Sequence, residues 1–156
     1  MCTYAQDINT LLAEGNRLES VPDEKAAFKK FKEVLKLNAT NIYALNKCSE
    51  LCSRIGQRET VNTKLRGEYY LAAKIYAQSA LKVDPKNSEA NCVMAIALGR
   101  SSLSKSGREK IENAKEIKKY VEYVERRNIL RRKNELDQQI LNLYRAFNFS
   151  KSLISD

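Results

Sequence analysis

The 156-residue chain carries 28 lysines and arginines, 19 acidic residues and no histidine, which gives a formal charge of +9. This length is typical of one domain, and a hydrophobic content of 43% suffices for a core without a metal or a disulfide framework. Only 5 Gly and 2 Pro occur among many helix-forming residues, so the composition disfavours sandwiches and barrels and predicts an all-α fold. No apolar run approaches the ~20 residues of a membrane span.

The N-terminal residues 1–7 leave the cellular compartment open. They contain neither the positively charged region nor the apolar core of a signal peptide. Two interpretations remain. The segment is the frayed start of a cytoplasmic protein, or it is the remnant of a signal peptide, which would make the protein periplasmic or exported.

A first helical pair is predicted over residues 8–41. Apolar residues recur at helical spacing from Ile8 to Leu18, and a second stripe of the same kind runs from Ala27 to Leu37. Pro22 separates the two stripes and forbids a continuous helix. Two antiparallel helices are therefore expected.

A second, elongated pair is predicted over residues 42–87. Its first helix runs from Ile42 to Ile55, and Gly56 is a plausible helix stop. A polar stretch up to Gly67 follows before the next amphipathic helix, which Pro85 closes. Compared with a regular unit, this stretch adds roughly a dozen residues between the two helices.

The C-terminal third predicts a degenerate third unit over residues 88–124 and a basic amphipathic helix over residues 125–148. The helix from Ser88 is apolar on nearly all sides, as expected of a helix covered by neighbours. A Ser/Lys/Gly loop at 101–107 follows, and an apolar stripe then resumes at Ile111. The basic stretch is a seventh helix or a continuation of the sixth.

The cysteines favour structural roles. Cys48 and Cys52 are one helical turn apart and share a helix face. Tetrahedral zinc would need about two more ligands, and the chain has no histidine. Since free cysteine behaves as a small buried hydrophobe, we expect core thiols, no metal and no cofactor.

An internal repeat carries the most specific signal. The segments 34–41 and 80–87 are near copies of one another, and small residues such as Ala27 and Ala73 stand where paired helices would cross. This pattern resembles tetratricopeptide (TPR) repeats. Over roughly residues 8–124 the order of units is similar to uncharacterised bacterial TPR proteins and, distantly, to the regulator-of-microtubule-dynamics family. The resemblance implies a TPR-like α-solenoid of about three helix pairs with a C-terminal capping helix.

The TPR resemblance implies a non-catalytic scaffold that binds a peptide or partner helix in a groove formed by the first helix of each pair. No histidine, glycine-rich phosphate loop or activated nucleophile supports an enzyme. The expected groove residues are Asn16, Tyr43, Asn46, Lys47, Glu50, Arg54 and Arg100, with Leu12, Glu19 and Glu89 beside them. Leu12 and Glu89 stand where a TPR carboxylate clamp would need basic residues, so that specificity is excluded.

The basic tail supports an alternative function, binding to nucleic acid or to an anionic surface. The residues concerned are Lys118, Lys119, Arg126, Arg127, Arg131, Arg132 and Lys133. A solvated helix face is the commoner explanation for such a cluster. The apolar stripe from Leu136 to Phe147 either caps the helix stack of a monomer or forms a dimer contact, and the sequence leaves both open.

Overall fold

The computed structural model describes the backbone of residues 2–21 and 23–154. It describes the side chains of residues 7–132, except 22 and 104, together with those of residues 134, 135 and 138. The described backbone contains six α-helices and one short 3-10 helix at Ser102–Ser104. The α-helices are α1 (Cys2–Ser20), α2 (Glu24–Leu37), α3 (Ile42–Arg58), α4 (Thr63–Val83), α5 (Ser88–Ser101) and α6 (Gly107–Ile154). The predicted all-α class is confirmed.

Short polar turns fix where the internal helices begin. The side chains of Asp23, Asn41, Asn62 and Asn87 each accept a hydrogen bond from the backbone N–H three residues ahead, at the starts of α2, α3, α4 and α5. Such caps satisfy donors that the first helical turn leaves unpaired and stabilise a helix by about 1 kcal/mol each. The connections are short, so consecutive helices pack side by side in antiparallel pairs.

The helices form a stack in which each packs on the next, and α3 also packs on α5. Small residues at the crossings, including Ala27, Ala73, Ala80 and Ala90, are fully buried. Because alanine adds little bulk, two backbones can approach closely at these points. The odd-numbered helices α1, α3 and α5 therefore lie side by side, with the even-numbered helices behind them.

The predicted helix stop at Gly56 is wrong. Gly56 is buried inside α3, which continues to Arg58. A Cβ atom at this position would lie 2.8 Å from the ring of Tyr70 on α4. The glycine is needed for the close approach of two helices, a tertiary contact that the local sequence does not reveal.

The extra residues of the second pair lengthen its helices instead of forming a long loop. α4 begins at Thr63, so only residues 59–62 connect it to α3. Most side chains at the start of α4 are polar because they face solvent, and Asn62 supplies the cap. Polarity between two apolar stripes thus indicated exposure, not a break in the helix.

The sixth helix is continuous with the basic tail. Ile117 and Tyr120 of α6 pack against buried residues of α5, whereas every residue from 125 to 132 is exposed. The helix therefore extends past the packed body. The stripe from Leu136 to Phe147, for which a cap or a dimer contact is predicted, lies outside the described side chains.

The helix α5 is less covered than its composition suggested. Cys92 is exposed and Ile96 is 42% exposed, although both were expected to be covered by neighbouring helices. Glu89 is exposed on the same side, one turn from Cys92. One side of α5 thus remains open to solvent.

Candidate partner-binding face of the odd-numbered helices

The candidate site is the solvent-facing surface of α1, α3 and α5, here called the α1–α3–α5 face. Its α1–α3 half is dominated by Glu19, whose carboxylate accepts hydrogen bonds from Lys47 at 2.9 Å and from Arg54. Arg54 Nε also lies 3.5 Å from Glu24 Oε1, at the start of α2. Lys47 and Arg54, two of the predicted groove residues, are therefore paired with carboxylates of the same chain. These ion pairs join α1 and α2 to α3.

The ammonium group of Lys47 remains charged in this environment. Partial burial by itself would lower the pKa of Lys47, but the hydrogen bond that Lys47 donates to Glu19 and the nearby carboxylates of Glu50 and Glu19 outweigh it and raise the pKa above its usual value. The ammonium nitrogen also lies 5.8 Å from the centroid of the Tyr43 ring. The charged Lys47 thus stabilises the face near neutral pH, and its ammonium group already contacts Glu19, Glu50 and the Tyr43 ring.

Tyr43 and Asn16 meet across the α1–α3 junction. The hydroxyl of Tyr43 donates a hydrogen bond of 2.6 Å to Asn16 Oδ1. The Tyr43 ring packs edge-on against Phe31, with ring centroids 6.1 Å apart, yet the residue remains 39% exposed. Tyr43 is therefore fixed in position and still presents part of its ring to solvent. Nearby, Leu12 is half-buried against the hydrophobic cluster that includes Phe31.

Asn46 was predicted to line the groove, but the structure places it in the interior. It is 1% exposed, and its Nδ2 donates to Asn87 Oδ1 at 3.3 Å. Its own Oδ1 is buried without a hydrogen-bond partner. Asn46 therefore joins α3 to the start of α5 and does not present its amide to a partner molecule.

The α3–α5 half of the face is more open. On α5, Glu89 and Cys92 are both exposed and lie one turn apart. The pKa of the Cys92 thiol is raised, first by partial burial and then by the charges of Glu89 and of Glu50 on α3. Ile96 lies one turn further along α5. At the far end, the guanidinium of Arg100 donates to Gln57 Oε1 at 2.6 Å.

Sequence reasoning missed Cys92 and Ile96 as members of this face. Both follow Glu89 at steps of three and four residues, so they share its side of the helix. The prediction that Glu89 lies beside the groove therefore implied that Cys92 and Ile96 lie there too. Their apolar character favoured the core instead. The structure brings together the other predicted residues Asn16, Tyr43, Lys47, Glu50 and Arg54, with Arg100 at the far end of the face.

The other two cysteines in the described side chains are buried, as predicted. Cys48 and Cys52 are fully covered, and burial raises the pKa of Cys52 to about 12. The pKa of Cys48 is raised for the same reason, with a further contribution from Cys52. In the part of the chain whose side chains are described, no group of three Cys, Asp or Glu residues could hold a metal ion.

The predicted basic patch lies in the middle part of α6, which spans residues 107–154. Its six described members, Lys118, Lys119, Arg126, Arg127, Arg131 and Arg132, are all exposed, and Lys133 lies outside the described side chains. Two of them have acidic neighbours on the same helix: Lys118 lies 3.8 Å from Glu122 and Arg131 lies 3.6 Å from Glu135. Arg127 and Arg131 also line an open cleft of about 770 Å³ beside Ser88. The patch is separate from the α1–α3–α5 face.

A comparison with family models identifies the family of the chain. The model of the family described as regulator of microtubule dynamics protein 1-3 matches residues 11–124, well over half of the chain. The chain belongs to this family. The match covers α2 to α5 and the second half of α1, and it ends within α6 where the exposed basic segment begins. No curated protein matches the chain.

Among the helices within the described residues, none combines the length and the apolar character required to cross a bilayer.

Proposed function

We propose that the protein is a non-catalytic scaffold built from TPR-like units, and that it binds a peptide or a helix of another protein on the α1–α3–α5 face. The observation that carries this proposal is the open strip of α5, where Cys92 and Ile96 are exposed between Glu89 and Arg100 of the same helix. Exposed apolar side chains rimmed by charged ones are typical of protein interaction sites.

The TPR assignment is supported by small residues at the helix crossings. A Cβ atom on Gly15 of α1 would lie 2.8 Å from the ring of Phe31 on α2, and Ala27 is fully buried in the same helix pair. The near-copied turns at 34–41 and 80–87 both cap the following helix with asparagine, Asn41 and Asn87. These features are expected of repeated helical hairpins that stack on one another. The likeness to bacterial TPR proteins remains a prediction.

The absence of catalysis is part of the same proposal. The sequence has no histidine, and the buried thiols of Cys48 and Cys52 have raised pKa values, so they stay protonated and weakly nucleophilic near neutral pH. The carboxylates of Glu19 and Glu24 are paired with Lys47 or Arg54. These groups stabilise helix packing and do not form an acid–base pair in a cavity.

The experiment compares two matched substitutions. Ile96→Asp places a charge on the proposed face, whereas Ile75→Asp does so on the exposed side of α4, where Ile75 is 52% exposed. Both proteins are expected to fold, because both positions face solvent. At least one partner captured from an extract by both the wild type and Ile75→Asp should be lost with Ile96→Asp. Identical partners for all three proteins would contradict the proposal.

A second candidate function is binding to an anionic surface or nucleic acid through α6. The exposure of Arg126, Arg127, Arg131 and Arg132 on a helix that leaves the packed body supports it. Such binding should weaken steeply with salt because phosphate contacts release counterions. Changing these four arginines to glutamine should remove a low-salt shift with RNA, DNA or anionic vesicles. No shift for the wild type at low salt would eliminate this candidate.

A further inference from the structure

A second surface lies on the other side of the molecule, between α2 and α4. Both helices pack on α3, but they do not pack closely on each other. The space between them forms an open groove of about 280 Å³, with Cys52 of α3 beneath it. Phe28 on α2 and Tyr69, Ala72 and Tyr76 on α4 line this α2–α4 groove and remain half-buried.

The groove is built by the residues that lengthen α4. Leu65 and Tyr69 belong to the first two turns of this 21-residue helix, while α2 has only 14 residues. Leu65, Tyr69, Ala72 and Tyr76 follow one another at steps of four, three and four residues. This is the spacing with which one helix presents a continuous stripe to another helix. The longer α4 therefore adds an apolar stripe that the other helices of this chain cover only in part.

Size and shape favour a single anchoring side chain. At about 280 Å³, the cavity lies just below the ~300–1,000 Å³ typical of small-molecule sites. Phe28 and Tyr76 stand edge to face with ring centroids 6.0 Å apart, and Ala72 leaves room beside them. A bulky apolar side chain can occupy the space beside Ala72 and bury its surface against these rings.

The charges at the groove favour one kind of partner. Burial raises the pKa of both Cys52 and Tyr76 to about 12, so neither is charged near neutral pH. The charged residues that line the groove are Lys32 and Glu68. Lys32 lies one turn beyond Phe28 towards the end of α2, and Glu68 lies one turn before Ala72 towards the start of α4. Since α2 and α4 run in the same direction, Lys32 and Glu68 belong to opposite ends of the groove, and the Lys32 ammonium nitrogen lies 5.5 Å from the centroid of the Phe28 ring.

We propose that the α2–α4 groove binds an amphipathic helix of a partner protein, which inserts one bulky apolar side chain between Phe28 and Tyr69. Its acidic side chain lies near Lys32 and its basic side chain near Glu68. The helix-in-groove mode of recognition uses such anchors at helical spacing. This site is independent of the α1–α3–α5 face, so either can fail without the other.

The test uses a displayed library of helical peptides with randomised surface positions. The library is selected on the wild-type protein and counter-selected on Ala72→Phe, which fills the groove. Ala114→Phe is the matched control, because Ala114 is an exposed alanine on α6. Circular dichroism first confirms that both variants are helical. If Ala72→Phe does not fold, Lys32→Glu with Glu68→Lys takes its place as the counter-selected protein.

The expected result is an enriched peptide family with one bulky apolar residue between an acidic and a basic residue. Replacing that apolar residue with alanine should weaken binding by about tenfold or more. Ala114→Phe and Ile96→Asp should bind as the wild type does. In Lys32→Glu with Glu68→Lys, the preferred order of the two charges should be reversed.

Three outcomes would overturn the proposal. The first is a counter-selected pool that shows no enrichment. The second is an enriched family whose charge order is indifferent to the Lys32 and Glu68 exchange. The third is a dimer in light scattering that Ala72→Phe dissociates, since the groove would then be occupied by a second copy of the chain.

Discussion

Two neighbouring junctions of the stack are held together by different interactions. α3 packs directly on α5, with Ala80 and Ala90 fully buried around Leu45. α1 approaches α3 less closely, and the two are bridged by the longer side chains of Glu19 and Tyr43. Small residues thus permit one close junction, while ion pairs and a tyrosine hydroxyl span the wider one. Salt and polar substitutions should affect the α1–α3 junction first, and steric substitutions the α3–α5 junction.

The largest expected effect comes from Phe31→Ala. Phe31 is fully buried between Gly15 of α1 and Tyr43 of α3, so its removal leaves a cavity beneath the wider junction. We expect a loss of about 3–5 kcal/mol in the free energy of unfolding. Urea denaturation followed by circular dichroism measures it. A loss below about 1 kcal/mol would show that the junction does not depend on the ring.

A steric test of the close junction is Ala90→Leu. Ala90 is fully buried where α5 meets Leu45 and Ala80, and added methyl groups should force the helices apart. The expected loss is about 1–3 kcal/mol in the same denaturation experiment. The control Ala114→Leu, on the exposed side of α6, should change the free energy of unfolding by less than about 0.5 kcal/mol. Equal effects at the two positions would refute the role given to close packing.

An electrostatic test of the wider junction is Glu19→Gln. Its carboxylate is bonded to Lys47 and Arg54, and its side chain is only 13% exposed. The charge-neutral amide should destabilise the protein by about 1.5–3 kcal/mol, the range for hydrogen bonds to charged groups. The effect should shrink at ~1 M salt, where the screening length falls to about 3 Å.

The matched control for this ion network is Glu33→Gln. Glu33 lies 3.6 Å from Lys30 and is 45% exposed, so its pair should contribute no more than about 0.5 kcal/mol. Equal losses in the free energy of unfolding for Glu19→Gln and Glu33→Gln at low salt would show that the ion network does not hold α1 to α3.

Among the substitutions at the two junctions, the smallest expected effect is that of Tyr43→Phe, which removes only the hydroxyl bonded to Asn16. The ring contact with Phe31 is retained, so the loss should be about 0.5–1 kcal/mol. Hydrogen exchange should show reduced protection in α1. Tyr123→Phe removes a hydroxyl bonded to the backbone oxygen of Lys86 and should loosen α6 instead. Loss of protection in the same helix for both variants would argue against separate junctions.

Local sequence features predicted most helices well. Period-three and period-four apolar stripes located α2 and α3, and the polar turns with Asn41 and Asn87 marked the starts of α3 and α5. The sequence-based predictions were wrong where one type of residue can serve two different structural roles. Gly56 commonly ends helices, but here it allows Tyr70 to approach α3. The polar residues after Arg58 suggested a long loop, whereas they form the exposed start of α4.

The candidate face was predicted in part for the same reason. Helical spacing correctly grouped Tyr43, Lys47 and Arg54 on one side of α3, but spacing does not specify which side chains a neighbouring helix covers. Asn46 is adjacent to Lys47 and is buried by the turn at Asn87. Cys92 and Ile96 have core-like side chains and lie on the open side of α5.

The sequence by itself determined the helical class, the order of helix pairs and the burial of Cys48 and Cys52, because these follow from local periodicity and composition. The tertiary structure decided which charges are paired, which apolar residues stay exposed and where α6 leaves the body. Those properties depend on the distance between helices that are far apart in the chain. That distance is set by the small residues at each crossing, such as Gly15 and Ala90.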